Sequence, residues 1–319
     1  MSKKCLFCYE KFTEKEIEEG IRDFHPVCSK KIFGTKTQPL LPYTQDKIAE
    51  LALNVIQSQT AVTGAQPKLS LDLEKVKNTP KKFTIVGLWG RYILKPQTQA
   101  YKNLPEFEDL TMHLAELSGI KVVPHSLIRF EDGNLCYITK RIDRDETGNK
   151  IHMEDMCQLT GRLTEDKYKG SYEQISKKIQ QHSKIPGLDL IIFAEQLIFC
   201  FLTGNSDMHL KNFSLIKYEN EYQLSAAYDM LPTNLILPED TEETALFLNG
   251  SKKRISKSDF CKSFEVMKIN PVSIENIFKN FKETVPLWFD FIDKSFLPDE
   301  MKEKYKALVH ERAEKLELM

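Results

Sequence analysis

The sequence predicts an α+β protein, in which a small β-rich first half precedes a larger, mostly helical second half. Runs typical of strands, such as LSLDL, KFTIV and LCYITK, are concentrated before residue 142. Beyond about residue 144 the apolar residues recur mainly at helical spacing. Strands grouped before helices are typical of α+β folds.

Composition excludes several classes of protein. The chain has 319 residues, 41% of them hydrophobic and 29% charged, with a formal net charge of −1. Near neutrality predicts no bulk attraction to nucleic acid or to an anionic membrane. The start, MSKKCLFCYEK, lacks the apolar segment of a signal peptide. The longest apolar run, LDLIIFAEQLIFCFLTG, is interrupted by Asp189, Glu195 and Gln196 and predicts a buried helix. We therefore expect a cytoplasmic protein that binds neither nucleic acid nor membrane directly.

Three segments are predicted along the chain. A Cys-bearing start covers residues 1–34, a β-rich lobe covers 35–142, and a helical lobe covers 143–319. Within the β-rich lobe, KFTIVGLWGRYILKP predicts a hairpin about a Trp-Gly turn. LPEFEDLTMHLAELSGI predicts a helix with Pro105 near its start and Gly119 at its end. HSLIRF and LCYITKRI predict two strands around the turn EDGN.

The polar stretch GNSDMHLKNFSLI, residues 204–216, separates an apolar helix from an apolar strand. It contains Asp207 and Asn212, and Asp229 follows in AAYDMLPT after a predicted short hairpin formed by FSLI and YQLSAA. Phosphoryl transfer from ATP requires a carboxylate at the attacking hydroxyl. It also requires hard oxygen ligands, such as Asn and Asp, for Mg²⁺. The pattern helix, polar loop, hairpin, Asp is therefore typical of a kinase.

The first half offers the remaining parts of an ATP site. Lys95 ends the strand YILK, where its ammonium can reach phosphates, and Glu108 on the next helix can pair with it. The turn VTGAQPK contains Gly64, and its backbone N–H groups can cover phosphates. The segment YITKRIDR, which contains Thr139 and Arg141, stands where a two-lobed kinase has its hinge. Each element alone has a plain alternative, namely a solvated loop, a helix cap or a surface charge; their order and context together favour a two-lobed, protein-kinase-like fold.

The chain resembles the HipA-like Ser/Thr kinases of bacterial toxin–antitoxin systems. The segments that carry the resemblance are TGAQPKLSL, YILKP, FEDLTMHLAELSGI, GNSDMHLKNFSLI and AAYDMLPT. It implies ATP and Mg²⁺ as cofactors. It implies Asp207 as the catalytic base and Asn212 and Asp229 as the ligands of Mg²⁺. It further implies that Lys95, paired with Glu108, binds the phosphates, that His209 braces the catalytic loop, and that a loop covers the phosphates, formed by Gly64, Ala65, Gln66 and Lys68.

The resemblance also implies partners and a target. With 63 residues before Gly64, the chain is similar to the short form of the family, HipT, which lacks an N-terminal subdomain of the long members. A small HipS-like antitoxin and a HipB-like DNA-binding protein are the implied partners. The implied substrate is an aminoacyl-tRNA synthetase, such as a glutamyl or tryptophanyl enzyme, whose phosphorylation would inhibit translation.

Autophosphorylation is a further expectation. Ala61 stands where long members carry a regulatory Ser, and Thr63 stands immediately before the loop glycine. We expect Thr63, or else Ser58 or Thr60, to be phosphorylated, because added negative charge would repel ATP phosphates. The alternative is that these hydroxyls only cap the local backbone.

Two other classes of function remain open at this stage. One is a catalytically silent kinase-like module that acts as a corepressor with a DNA-binding antitoxin. The other is a small-molecule or lipid kinase, because D-x-H-x-x-N also resembles the loop of phosphoinositide kinases. The complete set Lys95, Asp207, Asn212 and Asp229 argues against the first, and AQPK and DMLPT argue against the second.

The N-terminal cysteines form a separate pattern. Cys5, Cys8, His25 and Cys28 give C-x₂-C-x₁₆-H-x₂-C, a spacing compatible with a closed, structural Zn²⁺ site. The alternative is that Cys5 and Cys8 are small buried residues and His25 caps a turn. The other four cysteines lie in apolar contexts and are expected in the core.

Overall fold

The computed structural model describes residues 4–58, 68–74, 80–87 and 89–319. The chain divides into two compact units. The N-terminal unit comprises the described residues of Met1–Asp109, Val123–Asn149 and Lys294–Phe296. The C-terminal unit comprises Leu110–Val122, Lys150–Asp293 and Leu297–Met319. The boundaries expected at residues 34 and 142 stay a prediction.

The N-terminal unit is built on an antiparallel five-stranded sheet of order β2-β1-β3-β5-β4. Its strands are β1 (Leu69–Glu74), β2 (Lys82–Ile85), β3 (Tyr92–Lys95), β4 (His125–Arg129) and β5 (Leu135–Lys140). Three helices precede the sheet: α1 (Glu14–Glu18), α2 (Pro26–Phe33) and α3 (Gln45–Ser58). Apolar residues of the strands and of the first helices form one buried cluster, which includes Leu6, Phe24, Phe33, Leu71, Phe83 and Leu94.

The predicted hairpin between β2 and β3 is wrong, because β1 lies between these two strands. Leu71 pairs with Ile85 of β2 on one side and with Tyr92 of β3 on the other. Gly90 approaches β1 so closely that an added Cβ would lie 2.5 Å from the carbonyl oxygen of Leu71. The Trp-Gly segment therefore crosses β1 instead of closing a two-stranded turn.

The other local predictions for this half are confirmed. β4 and β5 form the expected antiparallel pair around the EDGN turn. The predicted helix is α4 (Leu104–Leu117), and Gly119 beyond its end has a φ of 84°. That left-handed conformation favours glycine at the end of a helix.

The C-terminal unit is mostly helical and contains one small antiparallel sheet of order β6-β7-β8. The strands are β6 (Met153–Asp155), β7 (Ser214–Tyr218) and β8 (Glu221–Leu224). The helices are α5 (Met156–Leu159), α6 (Tyr172–His182), α7 (Pro186–Leu202), α8 (Thr233–Ile236), α9 (Lys257–Val266), α10 (Pro271–Lys294) and α11 (Asp299–Lys315). The small sheets and the larger helical part confirm the predicted α+β class.

Helix α7 is the buried helix that the longest apolar run predicts. Its Asp189 is buried, and one of its carboxylate oxygens accepts hydrogen bonds from the Ser183 hydroxyl at 2.6 Å and from the Leu224 N–H at 2.7 Å. Two donors satisfy a carboxylate that would otherwise be costly to bury. None of the helices in the described part of the chain has both the length and the apolarity that a membrane crossing needs.

Candidate active site

The loop after α7 carries the predicted catalytic aspartate. The helix ends at Leu202, and Gly204 turns the chain with a φ of 66°. Asp207 follows, and its backbone N–H donates to the Asn205 side-chain oxygen at 3.2 Å. A 3₁₀ turn, Leu210–Asn212, then leads into β7. The polar stretch is therefore a loop held between a buried helix and a strand.

The two predicted magnesium ligands lie together. The Asn212 Nδ2 donates to Asp229 Oδ2 at 3.2 Å, and β7 and β8 form the predicted hairpin between the two residues. The Asn212 Oδ1 is buried and has no hydrogen-bond partner among the described residues. A buried acceptor beside a carboxylate matches the oxygen ligands that Mg²⁺ prefers. The arrangement therefore fits a magnesium ion.

Asp229 has a backbone φ of 62°. This left-handed conformation is sparsely populated by residues other than glycine, and it persists only where surrounding contacts enforce it. On its N-terminal side, the Ala227 N–H donates to the Lys121 carbonyl at 2.8 Å, and the Tyr228 hydroxyl donates to the Lys211 carbonyl at 3.0 Å. These contacts fix the two residues directly before Asp229.

Tyr168 contacts Asp207, the proposed base. The sequence did not predict this contact. Its hydroxyl donates to Asp207 Oδ1 at 2.5 Å, and its ring centre lies 5.0 Å from that of His209. Burial, and then the hydrogen bond to Asp207, raises the pKa of Tyr168, so the phenol remains a donor at neutral pH. His209 Nδ1 in turn accepts the Lys211 N–H at 3.3 Å. The expectation that His209 braces the loop stays a prediction.

A buried hydroxyl pair connects the Asp207 loop to the DMLPT segment. The Ser206 N–H donates to Thr233 Oγ1 at 2.7 Å, and the two hydroxyls lie 2.9 Å apart. The Ser206 hydroxyl also donates to Asp240 Oδ2 at 2.8 Å. We call these three residues the loop brace. The sequence did not predict the loop brace, although Ser206 directly precedes Asp207 and Thr233 belongs to the DMLPT segment.

In the N-terminal unit, Lys95 and Glu108 form the predicted ion pair. The Lys95 Nζ lies 2.5 Å from Glu108 Oε1, and the two residues are 4% and 2% exposed. The ammonium also lies 5.5 Å from the centre of the Tyr137 ring. Burial without a partner would strongly disfavour either charge. The pair therefore fixes the position of an ammonium at the end of β3.

Lys68 comes to the same end of the sheet. Leu69, the first residue of β1, pairs with Leu94 of β3, and Lys68 and Lys95 are the adjoining residues of the two segments. Two positive residues therefore lie at one end of the sheet.

The predicted hinge residues are already engaged within the N-terminal unit. The Thr139 hydroxyl donates to the Pro124 carbonyl at 3.0 Å. The Arg141 N–H donates to the Arg91 carbonyl at 2.8 Å, and its guanidinium bonds to Asp143. A role for these two residues toward adenine stays a prediction.

Several predicted positions fall outside the described residues. These are Thr60, Thr63, Gly64, Ala65 and Gln66. Ser58 is the last residue of α3, and its side chain is likewise outside the description.

Three of the four predicted zinc ligands lie together, and the fourth does not. Cys5, Cys8 and Cys28 place their Sγ atoms within 4.8 Å of one another. His25 lies outside this group in the structure, and its role as the fourth ligand stays a prediction. Its Nδ1 instead lies 2.7 Å from Glu16 Oε1, and its ring packs against Phe12. His25 is the N-cap residue of α2, and its side chain forms no capping hydrogen bond.

Comparison with known families gives a match over most of the chain. A model of the HipA-like C-terminal domain matches residues 60–289, which is most of the chain. A Haemophilus influenzae protein named as a candidate kinase is 28% identical over 84% of this chain and 79% of that protein. The candidate kinase Y4dM of Sinorhizobium fredii is 32% identical over 68% of this chain. The chain spans only 55% of the length of Y4dM.

Solved structures with much lower identity share the fold. The HipA toxin of Shewanella oneidensis MR-1, solved with HipB and operator DNA, matches with a TM-score of 0.67 at 19% identity, over 88% of this chain and 72% of that one. The proinflammatory kinase CtkA of Helicobacter pylori matches with a TM-score of 0.52 at 17% identity, over 70% of this chain and 87% of that one. These matches confirm the predicted HipA-like, kinase-like fold class.

Proposed function

Because this chain belongs to the HipA-like kinase family, we propose that it transfers the γ-phosphoryl group of ATP to a Ser or Thr hydroxyl of a protein. The observation that carries the proposal is the pairing of Asn212 with Asp229 next to the loop of Asp207. The amide oxygen of Asn212 is buried without a partner among the described residues, beside a carboxylate held in a left-handed conformation. Such a site suits a hard cation and the phosphates it neutralises.

Asp207 is the proposed base. Its carboxylate orients the acceptor hydroxyl and accepts its proton as the oxygen attacks the γ-phosphorus of ATP. The bond from the γ-phosphorus to the bridging oxygen breaks, and ADP leaves. His209 and the loop brace act as positioning residues, because they contact the loop and not the reacting atoms.

Asn212 Oδ1 and the Asp229 carboxylate are the proposed ligands of Mg²⁺. A bound magnesium ion would neutralise charge on the phosphate oxygens. Lys95, fixed by Glu108, and Lys68 are the proposed partners of the ATP phosphates. Gly64, Ala65 and Gln66 are proposed to cover those phosphates through backbone N–H groups.

The proposal also covers the partners, the target and the regulation of the chain. The structural neighbour HipA was solved with HipB and operator DNA, which supports a HipB-like partner for this chain, together with the HipS-like protein that the sequence implies. We propose a cytoplasmic toxin whose target is an aminoacyl-tRNA synthetase and whose activity inhibits translation. Autophosphorylation of Thr63, or of Ser58 or Thr60, would silence it.

The test measures transfer from γ-labelled ATP into bacterial lysate by the wild-type chain and by Asp207→Asn. Asp290→Asn is the matched control, since Asp290 is an exposed carboxylate on α10. We expect the wild type and the control to label a synthetase-sized band and the chain itself. Loss of the base should reduce transfer at least about 100-fold. Mass spectrometry of the bands then identifies the target and the modified loop hydroxyl.

Other outcomes would redirect the assignment. Equal transfer by the wild type and Asp207→Asn would contradict the role of Asp207. Label that enters a lipid or metabolite fraction would indicate a small-molecule or lipid kinase. A folded wild-type chain that binds HipB-like protein but transfers nothing would favour the corepressor function.

A further inference from the structure

The sulfur atoms of Cys5, Cys8 and Cys28 converge in the N-terminal unit. All three lie within 4.8 Å of one another, and none is in a disulfide. We call this group the thiol cluster. The proposed kinase chemistry uses none of its members, so the cluster needs a separate explanation.

The local backbone is folded around Cys5 and Cys8. The Tyr9 N–H donates to the Cys5 carbonyl at 3.0 Å, and the Cys5 N–H donates to the Glu10 carbonyl at 2.8 Å. Tyr9 has a φ of 63°, which lets the chain reverse directly after Cys8. A turn of this kind directs two side chains spaced by two residues toward a common point. Cys28 reaches the same point from the first turn of α2, which begins at Pro26.

A backbone N–H group faces the Cys5 sulfur. The His25 N–H donates to Cys5 Sγ at 3.5 Å, although the two residues are 20 positions apart in the chain. His25 directly precedes α2, so this contact places the first turn of that helix, which carries Cys28, beside the turn of Cys5 and Cys8.

His25 is the candidate for the fourth ligand. Its Nδ1 lies 2.7 Å from Glu16 Oε1, and Glu16 is itself held by the Thr13 N–H at 2.9 Å in the capping box of α1. A histidine that donates Nδ1–H to a carboxylate presents the lone pair of Nε2, which is the usual arrangement around metal-binding histidines. The imidazole lies outside the thiol cluster here, so it must turn toward the sulfur atoms when a metal binds.

We propose that Cys5, Cys8, Cys28 and His25 bind one Zn²⁺ ion in a closed tetrahedral site. Three thiolates and one imidazole form a standard ligand set for structural zinc. The three thiols release their protons to solvent on binding, and the ion changes neither oxidation state nor any bond of the chain. With all four positions filled by protein, the site would join the turn of Cys5 and Cys8 to α2 and would have no catalytic role.

The experiment measures zinc content by mass spectrometry of the full chain, purified reduced from zinc-supplemented cells. The wild type is compared with Cys8→Ser and Cys28→Ser. Cys261→Ser is the control, because Cys261 is a half-buried free thiol on α9 outside the cluster. We expect about one zinc per chain in the wild type and the control, and at least about a fivefold loss in the two cluster variants.

Cobalt substitution of the wild type decides the outcome even if the variants fail to fold. Bound Co²⁺ should show intense sulfur-to-metal absorption and tetrahedral d–d bands. His25→Ala should alter the d–d bands and retain the sulfur absorption. The proposal would be overturned by a reduced wild type that neither contains zinc nor shows sulfur–cobalt absorption, or by equal zinc in all variants. These readouts do not depend on kinase activity.

Discussion

The phenol of Tyr168 bonds to the carboxylate that we propose as the catalytic base. An acceptor hydroxyl must approach the same carboxylate, because the base has to accept its proton. Tyr168 is 43% exposed, so its ring can leave without disrupting a core. In this structure the Tyr168 hydroxyl therefore competes with the acceptor hydroxyl for the carboxylate of Asp207.

We predict that Tyr168→Phe increases kcat/KM for the protein acceptor by roughly three- to tenfold, since a hydrogen bond to a charged group contributes about 1.5–3 kcal/mol and exposure weakens it. Tyr218→Phe is the control, because Tyr218 is an exposed tyrosine at the end of β7. Steady-state kinetics with the acceptor that the labelling experiment identifies would measure the change.

The pH profile gives a second readout of the same variant. The raised pKa of Tyr168 keeps the phenol protonated well above neutral pH, so the wild type and Tyr168→Phe should share one profile shape between about pH 6 and 9. A tenfold fall of kcat in the variant would instead make Tyr168 a positioning residue for Asp207.

The buried Lys95–Glu108 pair gives a stability prediction. Removing one partner leaves an uncompensated buried charge, which costs about 3–5 kcal/mol, whereas replacing both with apolar residues is often nearly neutral. We predict that Glu108→Leu lowers the free energy of unfolding by roughly 3 kcal/mol and that Lys95→Met added to it recovers most of the loss. Denaturant unfolding of both variants measures this, and additive losses would contradict the pairing.

The loop brace sets the geometry of the active site at the scale of elements. Thr233 is the first residue of α8, and Ser206 lies in the loop after α7, so the brace joins two elements that are not consecutive in the chain. The segment that carries Asp207 and the segment that follows Asp229 are thereby held together by hydrogen bonds between buried hydroxyl and backbone groups.

We predict that Thr233→Val lowers stability by about 1–3 kcal/mol, because it leaves the buried Ser206 N–H without its acceptor. It should also lower kcat at least about tenfold, because small displacements of catalytic groups slow the reaction. Thr164→Val is the control, since Thr164 is exposed. Thermal unfolding and transfer rates measure the two effects. An unchanged rate in a destabilised variant would show that the brace supports the fold alone.

Elements close in sequence were predictable, and long-range pairings were not. α4, the β4–β5 pair and the β7–β8 hairpin depend on local periodicity and turn residues, which the sequence displays. The pairing of β1 with both β2 and β3 depends on the close approach of Gly90 to Leu71. Nothing in the local pattern distinguishes that glycine from a turn glycine.

The same limit applies to the candidate site. One hairpin joins Asn212 to Asp229, so the contact between these two residues followed from a short stretch of sequence. Tyr168 lies 39 positions before Asp207 and reaches it only through tertiary structure. Asp240 reaches Ser206 across 34 positions in the same way.

At the scale of the whole molecule, ligand binding should stabilise the folded chain. A ligand at about 100 times its Kd stabilises by about 2.7 kcal/mol. We predict that Mg²⁺ with a non-hydrolysable ATP analogue raises the Tm of the wild type by several degrees and that Asp229→Asn loses most of the shift. Scanning calorimetry measures both. The same shift in the variant would remove Asp229 from the metal site.

The loop brace has a consequence for chimaeras between relatives of this chain. Ser206, Thr233 and Asp240 share hydrogen bonds. A catalytic loop transplanted alone would therefore lack the hydrogen-bond partners of Ser206. A transplant that spans residues 204–240 as one cassette would bring the whole set. A chimaera that receives the whole cassette should therefore keep its transfer activity, and one that receives either loop singly should lose it.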